Sequence, residues 1–344
     1  MRLPLPSIVG LGLLALPTTH ALAMDAPTVT VGAGLRTSFT DTNVSGTSND
    51  PADFALESAR IYIGGKVTDQ IGFMFNTEYN GSSLDVIDAA ATMSFSDAFN
   101  IWAGRFLPPS DRANLYGPYY ANNWGVFQDG VQDGYPFSTT GRDEGLMYWG
   151  QYGKTKLSLG AFDVKGLTSG NARAGDVLYA GRVQFDFWDP EAGYYLNGSY
   201  YGAKDLLALG FAAQTVGGDD AYTVDLLLEK KLGNGGVVTL EGEYAKYDNL
   251  GGYGIAPESD GWYGLVAYLF PAQVGIGKFQ ILGKYGTSTH ERSGGDVEWD
   301  TLEVNLNYII KQFNARLMMF YKDTRFDAVR PDFKQFGVAV QIQM

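Results

Sequence analysis

The chain has 344 residues with 45 glycines, 22 tyrosines, 20 phenylalanines, no cysteine and a net charge of −13. The absence of cysteine excludes a disulfide framework and thiolate chemistry. The acidic balance argues against nucleic-acid binding, which rests on clustered Lys and Arg. Two histidines, His20 and His290, are too few for a His/Cys metal centre.

In chain order, the first element is a signal peptide over residues 1–23. Arg2 supplies a basic start, 8–16 is a short apolar stretch, and Ala21-Leu22-Ala23 is an A-x-A cleavage site. An apolar run of roughly 10 residues is too short to span a bilayer as a helix. The remainder, 24–344, reads as one domain that is exported. It contains no apolar run of about 18 residues, so no membrane-crossing helix is expected.

Next come segments of about ten residues that alternate apolar and polar, the period-two signature of a strand with two unlike faces. Ala59, Ile61 and Ile63 share one face, as do Ile71, Phe73 and Phe75. The clearest case sets Leu302, Val304, Leu306 and Tyr308 against Thr301, Glu303, Asn305 and Asn307. The last strand sets Phe336, Val338, Val340 and Ile342 against Gln335, Gly337, Ala339, Gln341 and Gln343. The pattern predicts strands over 29–39, 54–67, 71–80, 86–96, 100–106, 144–152, 156–165, 177–187, 205–215, 221–231, 237–247, 261–270, 278–287, 300–309, 313–322 and 333–343.

Alternation alone does not separate a soluble sandwich from a membrane barrel. Three features favour the barrel. The strands are near the 9–11 residues that cross a bilayer at a tilt. Aromatics sit near strand ends, as a girdle requires: Phe187 and Trp188, Trp262 and Tyr263 against Tyr268 and Phe270, Phe313 against Tyr321. Tight turns at 68–70, 97–99, 153–154, 232–236 and 310–312 alternate with longer connections at 41–53, 107–143, 166–176, 248–260, 288–299 and 323–332. Outer-membrane barrels sort their connections this way, short on the periplasmic side and long outside. The stretch 194–201 also looks strand-like. A seventeenth strand breaks the even count of such barrels, so 189–204 is expected to be an elaborate periplasmic turn.

The longest stretch without strand pattern is 107–143. A loop of that length usually has a role, and a barrel of 16 strands encloses an aqueous channel. The loop is therefore expected to fold inward and constrict the lumen, with Asp111, Arg112, Tyr116, Tyr119, Tyr120, Trp124, Asp129 and Asp133 as its candidate residues.

The run Glu57-Ser58-Ala59-Arg60-Ile61-Tyr62-Ile63-Gly64-Gly65-Lys66-Val67, then 73–79, Asp88-Ala89-Ala90 and Ala103-Gly104-Arg105-Phe106-Leu107-Pro108-Pro109, resembles the phosphate-selective porin O and P family. Asp189-Pro190-Glu191-Ala192-Gly193-Tyr194-Tyr195 and Lys204-Asp205-Leu206-Leu207-Ala208-Leu209-Gly210 look like members of the same wider group. The resemblance implies a 16-stranded barrel, a homotrimer and a pore narrowed by the third external loop. Its phosphate selectivity does not carry over. Asp111, Arg112, Asp129, Asp133, Arg142 and Asp143 make the loop more acidic than basic, and a phosphate needs clustered Arg or Lys donors.

The alternation also sorts the wall charges. Arg36, Arg60, Lys66 and Arg316 fall on one arc of the lumen, because the last strand closes against the first. Asp225, Glu229, Glu241 and Glu243 fall on the opposite arc, while Arg182 and Glu303 break the separation. The expected fold is thus all-β, a transmembrane antiparallel β-barrel of 16 strands. The expected function is an outer-membrane porin of a Gram-negative bacterium, passing small hydrophilic solutes and ions without a cofactor. Outer-membrane lipids are its expected surroundings. The alternatives are a barrel hydrolase and a non-conducting structural or adhesive barrel. Nucleophilic catalysis needs a base beside a serine, and His290 is expected on a solvated external loop. Asp219-Asp220 and Glu258-Ser259-Asp260-Gly261 are weak calcium candidates, read as turns with solvated charge.

Overall fold

A computed structural model describes residues 27–47, 51–126, 131, 141–163, 175–248, 258–292, 294–327 and 330–344. The signal peptide, Asp129 and Asp133 lie outside the described residues.

Sixteen strands form one closed antiparallel barrel in which each strand pairs with its sequence neighbours and β1 closes on β16. They are β1 (Thr28–Val44), β2 (Ala52–Lys66), β3 (Ile71–Tyr79), β4 (Leu84–Ser96), β5 (Phe99–Phe106), β6 (Asp143–Tyr152), β7 (Thr155–Asp163) and β8 (Val177–Asp186). The second half runs β9 (Leu206–Val216), β10 (Asp219–Lys231), β11 (Val237–Asp248), β12 (Glu258–Leu269), β13 (Lys278–His290), β14 (Val297–Lys311), β15 (Ala315–Phe326) and β16 (Phe333–Gln343). Closure pairs Leu35 with Ile342 and Thr37 with Val340. It leaves no sheet edge, so the backbone of the wall is satisfied within the sheet, as a lipid environment demands.

The side chains are arranged inside out relative to a soluble barrel. On β14, Leu302, Val304 and Leu306 are 42–45% exposed, whereas Glu303, Asn305 and Asn307 are 0–2% exposed. The same holds on β16, where Phe336, Val338 and Ile342 face outward and Gln341 is buried inward. An apolar outer face over a polar interior is the membrane-barrel arrangement.

Several sequence expectations are corrected. Tyr263 is not part of an outer girdle; it is buried inside and donates to Glu241 (2.6 Å). Phe313 is likewise buried, packed against Tyr120 and Tyr201. Both were misplaced because a girdle position and an inward position one residue away look alike in sequence. Trp262 and Phe270 are exposed on the outside. Asp219 and Asp220 open β10, and Glu258 to Asp260 open β12, so both groups lie in strand ladders rather than in loops. The sorting of connections is also incomplete. The β9–β10 link is only 217–218, although it lies at the end opposite the chain termini.

Between β5 and β6 lies α1 (Arg112–Tyr120), capped by the Asp111 carboxylate, which accepts from Asn114 N (2.7 Å). An N-cap of this kind satisfies an amide that the helix itself leaves free. The helix is broken at Gly117, whose φ of 60° suits glycine, and Pro118 follows.

Candidate functional site

The α1 segment touches inward-facing side chains of many strands. Arg316 on β15 donates to Ala121 O (2.7 Å), and Gln341 on β16 donates to Tyr119 O (2.8 Å). Arg36 on β1 donates to Trp124 O (3.1 Å) and lies 3.9 Å from the Trp124 ring centre. Glu303 on β14 accepts from Asn123 Nδ2 (2.9 Å) and Trp124 N (3.2 Å). Tyr116 donates to Glu241 on β11 (2.6 Å), and the Tyr119 hydroxyl lies 3.1 Å from Ser58 Oγ on β2. A chain leaving a strand end carries unpaired carbonyls and amides, and burial requires partners for them. The wall supplies them with long polar side chains.

A second segment enters from the end that holds the termini. The connection between β8 and β9, 187–205, forms no strand, as expected, but it is not a surface turn. Its Gly198 N donates to Tyr120 O (2.8 Å), Leu196 N donates to Leu115 O (3.3 Å), and the Tyr194 hydroxyl donates to Leu107 O (2.8 Å). Glu229 on β10 accepts from Ser199 Oγ (2.8 Å), Tyr200 N (2.8 Å) and Gly202 N (2.7 Å). A Cβ at position 198 would lie 3.0 Å from Asn122 N and 3.1 Å from Tyr120 O, so the two segments approach as closely as a glycine allows.

Their junction is ionic. Arg112 forms a bidentate pair with Glu191 (3.0 and 2.6 Å), and neither side chain has any solvent exposure. Arg112 also donates through Nη1 to Asn197 O (3.1 Å) and through its backbone N to Asp225 (3.2 Å). Asp225 is shared with Arg182, whose Nη2 lies 2.8 Å away. Glu191 also accepts from Gln184 Nε2 (2.8 Å) and the Tyr200 hydroxyl (2.7 Å). Burial pushes the Glu191 carboxyl up, but the Arg112 charge beside it outweighs this and holds it at about 2.

The wall charges therefore have a use that their alternation did not convey. Arg36 and Arg316 of the basic arc are buried beneath the α1 segment and turned to its carbonyls. Arg60 and Lys66 stay partly open. Of the acidic arc, Asp225 and Glu229 anchor Arg112 and the β8–β9 connection, Glu241 holds Tyr116, and Glu243 is buried near Tyr263 (3.5 Å). Arg182 and Glu303, which seemed exceptions, are among the anchors. Sequence reading missed the β8–β9 connection as part of the site. The available signal was Tyr194, Tyr195, Tyr200 and Tyr201 within one supposed turn, too much aromatic surface to leave in water.

The two segments divide the lumen. From β8 to β15 the inward-facing residues are buried except at strand ends such as Lys231, Lys278 and Phe326. On β2 and β3 the inward residues Arg60, Tyr62, Met74, Asn76 and Glu78 remain partly exposed. Arg60 is paired with Glu78 (2.8 and 3.2 Å), and Asp88 on β4 accepts from Asn76 (2.9 Å) with Arg142 3.5 Å away. Towards the termini this arc opens into a cavity of about 370 Å³ lined by Thr30, Gly64, Lys66, Asp69, Gly72 and Thr92, among others.

His290 corrects another expectation. It ends β13 and is buried, with Nδ1 2.9 Å from Ser259 Oγ and Nε2 3.3 Å from Ser288 Oγ. Both serines are buried too. The loop position inferred from the polar sequence fails because the strand runs three residues further than its apolar alternation.

No family model matches the chain, and no curated protein matches it. Solved structures do. The chain is similar to the anion-selective porin of Comamonas acidovorans at 14% identity and a TM-score of 0.61, covering 93% of this chain and 100% of that one. It is similar to OprB of Pseudomonas putida at 10% identity and a TM-score of 0.61, covering 92% and 94% of the two chains. It is also similar to OmpF of Salmonella typhi, in a complex with daunomycin, at 13% identity and a TM-score of 0.58, covering 92% and 97%. The fold is that of the 16-stranded outer-membrane porins, a broader class than the phosphate-selective O and P family.

Proposed function

We propose that the protein is an outer-membrane porin through which small hydrophilic solutes and ions diffuse passively, and that it is not an enzyme. The observation that carries this reading is the open, polar arc on β2 and β3 inside a closed barrel whose outer face is apolar. In this reading the α1 segment is the third external loop and narrows the lumen, and the termini face the periplasm. Export through the 1–23 signal peptide brings the chain to the outer membrane of a Gram-negative cell. The resemblance to the phosphate-selective O and P family supports assembly as a homotrimer. No phosphate selectivity is proposed. Hydrolysis is disfavoured because the serines beside His290 are buried, and a nucleophile must reach its substrate.

The dense filling from β8 to β15 favours one rival, a non-conducting structural barrel. Purified protein added to a planar bilayer decides between them. Stepwise, ohmic current increments are expected. A heat-modifiable, folded barrel that gives no increments overturns the porin reading.

A further inference from the structure

We infer that the open arc selects small uncharged polyhydroxylated solutes, simple sugars and polyols, over inorganic anions. This rests on the porin reading. Its first support is charge. The cations of the open arc stand beside carboxylates: Arg60 with Glu78, Arg142 with Asp88, and Lys66 in one cavity with Asp69. Arg36 and Arg316 lie behind the α1 segment and are directed to backbone carbonyls. An anion passing along β2 has to compete with a carboxylate already seated in two hydrogen bonds on Arg60. A strong phosphate site instead leaves Arg or Lys donors free to converge.

The second support is the tyrosines. Tyr62 on β2, Tyr120 at the end of α1 and Tyr195 on the β8–β9 connection are each partly exposed, Tyr120 to 38%. They come from three separate elements and surround the same arc. The Tyr195 hydroxyl lies 3.5 Å from Asp88, and Arg60 lies 4.8 Å from the ring centre of Tyr119, the neighbour of Tyr120. A sugar ring has apolar C–H faces and an edge of hydroxyls that both donate and accept. Aromatic faces suit the first. A guanidinium–carboxylate pair, which sets donors beside acceptors, suits the second. An inorganic anion gains nothing from the negatively polarised ring faces.

The test uses the purified full-length protein in planar bilayers. Reversal potentials in a potassium chloride gradient are expected to give anion and cation permeabilities within about twofold of each other. Glucose or maltose added to the bath is expected to reduce the current in a saturable way, and inorganic phosphate is not. Tyr120→Ala is expected to weaken the sugar block by about fivefold, the scale of one lost aromatic contact, while the unboiled gel mobility stays that of a folded barrel. If that variant does not fold, Tyr120→Leu keeps the bulk and removes the ring. Current with an anion preference of about tenfold and block by phosphate overturns the inference and leaves the porin reading standing. Current with no saturable sugar block does the same. Absence of current overturns the porin reading and this inference with it.

Discussion

Removing either partner of the Arg112–Glu191 pair should undock the β8–β9 connection from α1 without unfolding the barrel. Both side chains are fully buried, with contacts of 3.0 and 2.6 Å. At an effective dielectric of about 20, two charges at about 4 Å interact by roughly 4 kcal/mol. Leaving one member of a buried pair uncompensated costs about 3–5 kcal/mol. Glu191→Gln falls at the lower end, because Arg112 keeps Asp225 at 3.6 Å and Asn197 O at 3.1 Å. Arg112→Met falls at the upper end, because the side-chain hydrogen bonds left to Glu191 come from the neutral groups Gln184 and Tyr200, with the more distant Lys156 charge as partial compensation. About 3 kcal/mol is a shift of roughly a hundredfold in the docking equilibrium. The assay is amide hydrogen exchange at Leu196 and Gly198, whose N–H groups bond to Leu115 O and Tyr120 O. Both single variants should exchange there about a hundredfold faster. The double variant Arg112→Met/Glu191→Leu should recover part of the protection, since neither charge is then buried alone. Wild-type protection in both single variants refutes the reasoning. The pH dependence has a fixed sign. The Glu191 carboxyl is depressed from 4.5 to about 2, so its contribution is complete above about 4.5 and is lost as pH falls through about 2. Protection at Leu196 and Gly198 should therefore be flat from neutrality to mild acid and fail only near the lower value.

Replacing 190–203 with a tight turn should raise single-channel conductance while the barrel still shifts its gel mobility on boiling; an unchanged conductance in a folded variant means that the connection does not narrow the path. On the outer face, Leu306→Arg should cost about 2–4 kcal/mol in urea-driven unfolding from lipid bilayers if position 306 lies near mid-membrane. A cost near zero there would mean that β14 does not face lipid as its alternation implies.

Much of the barrel is legible in the sequence because the two-residue period is a local property of a strand. Leu302 to Tyr308 and Phe336 to Ile342 alternate strictly, so strand, face and approximate ends follow from neighbours in sequence. The even count of sixteen follows from the same periodicity together with the need to close the sheet. The third-loop segment was visible as a long interruption. What fills the barrel was not visible, because it depends on residues distant in sequence. Arg112 meets Glu191 and Asp225, Arg316 meets Ala121, and Glu303 meets Trp124. No local pattern links such positions. An inward charge looks the same in sequence whether it faces water or holds a loop. Only the tertiary structure decided that most wall charges anchor the two inserted segments, and that the inward residues left partly exposed lie along β2 and β3. The physical reason is that burial converts a charge from a solvated group into one that requires a partner, and the partner is chosen by how the closed barrel brings its contents together.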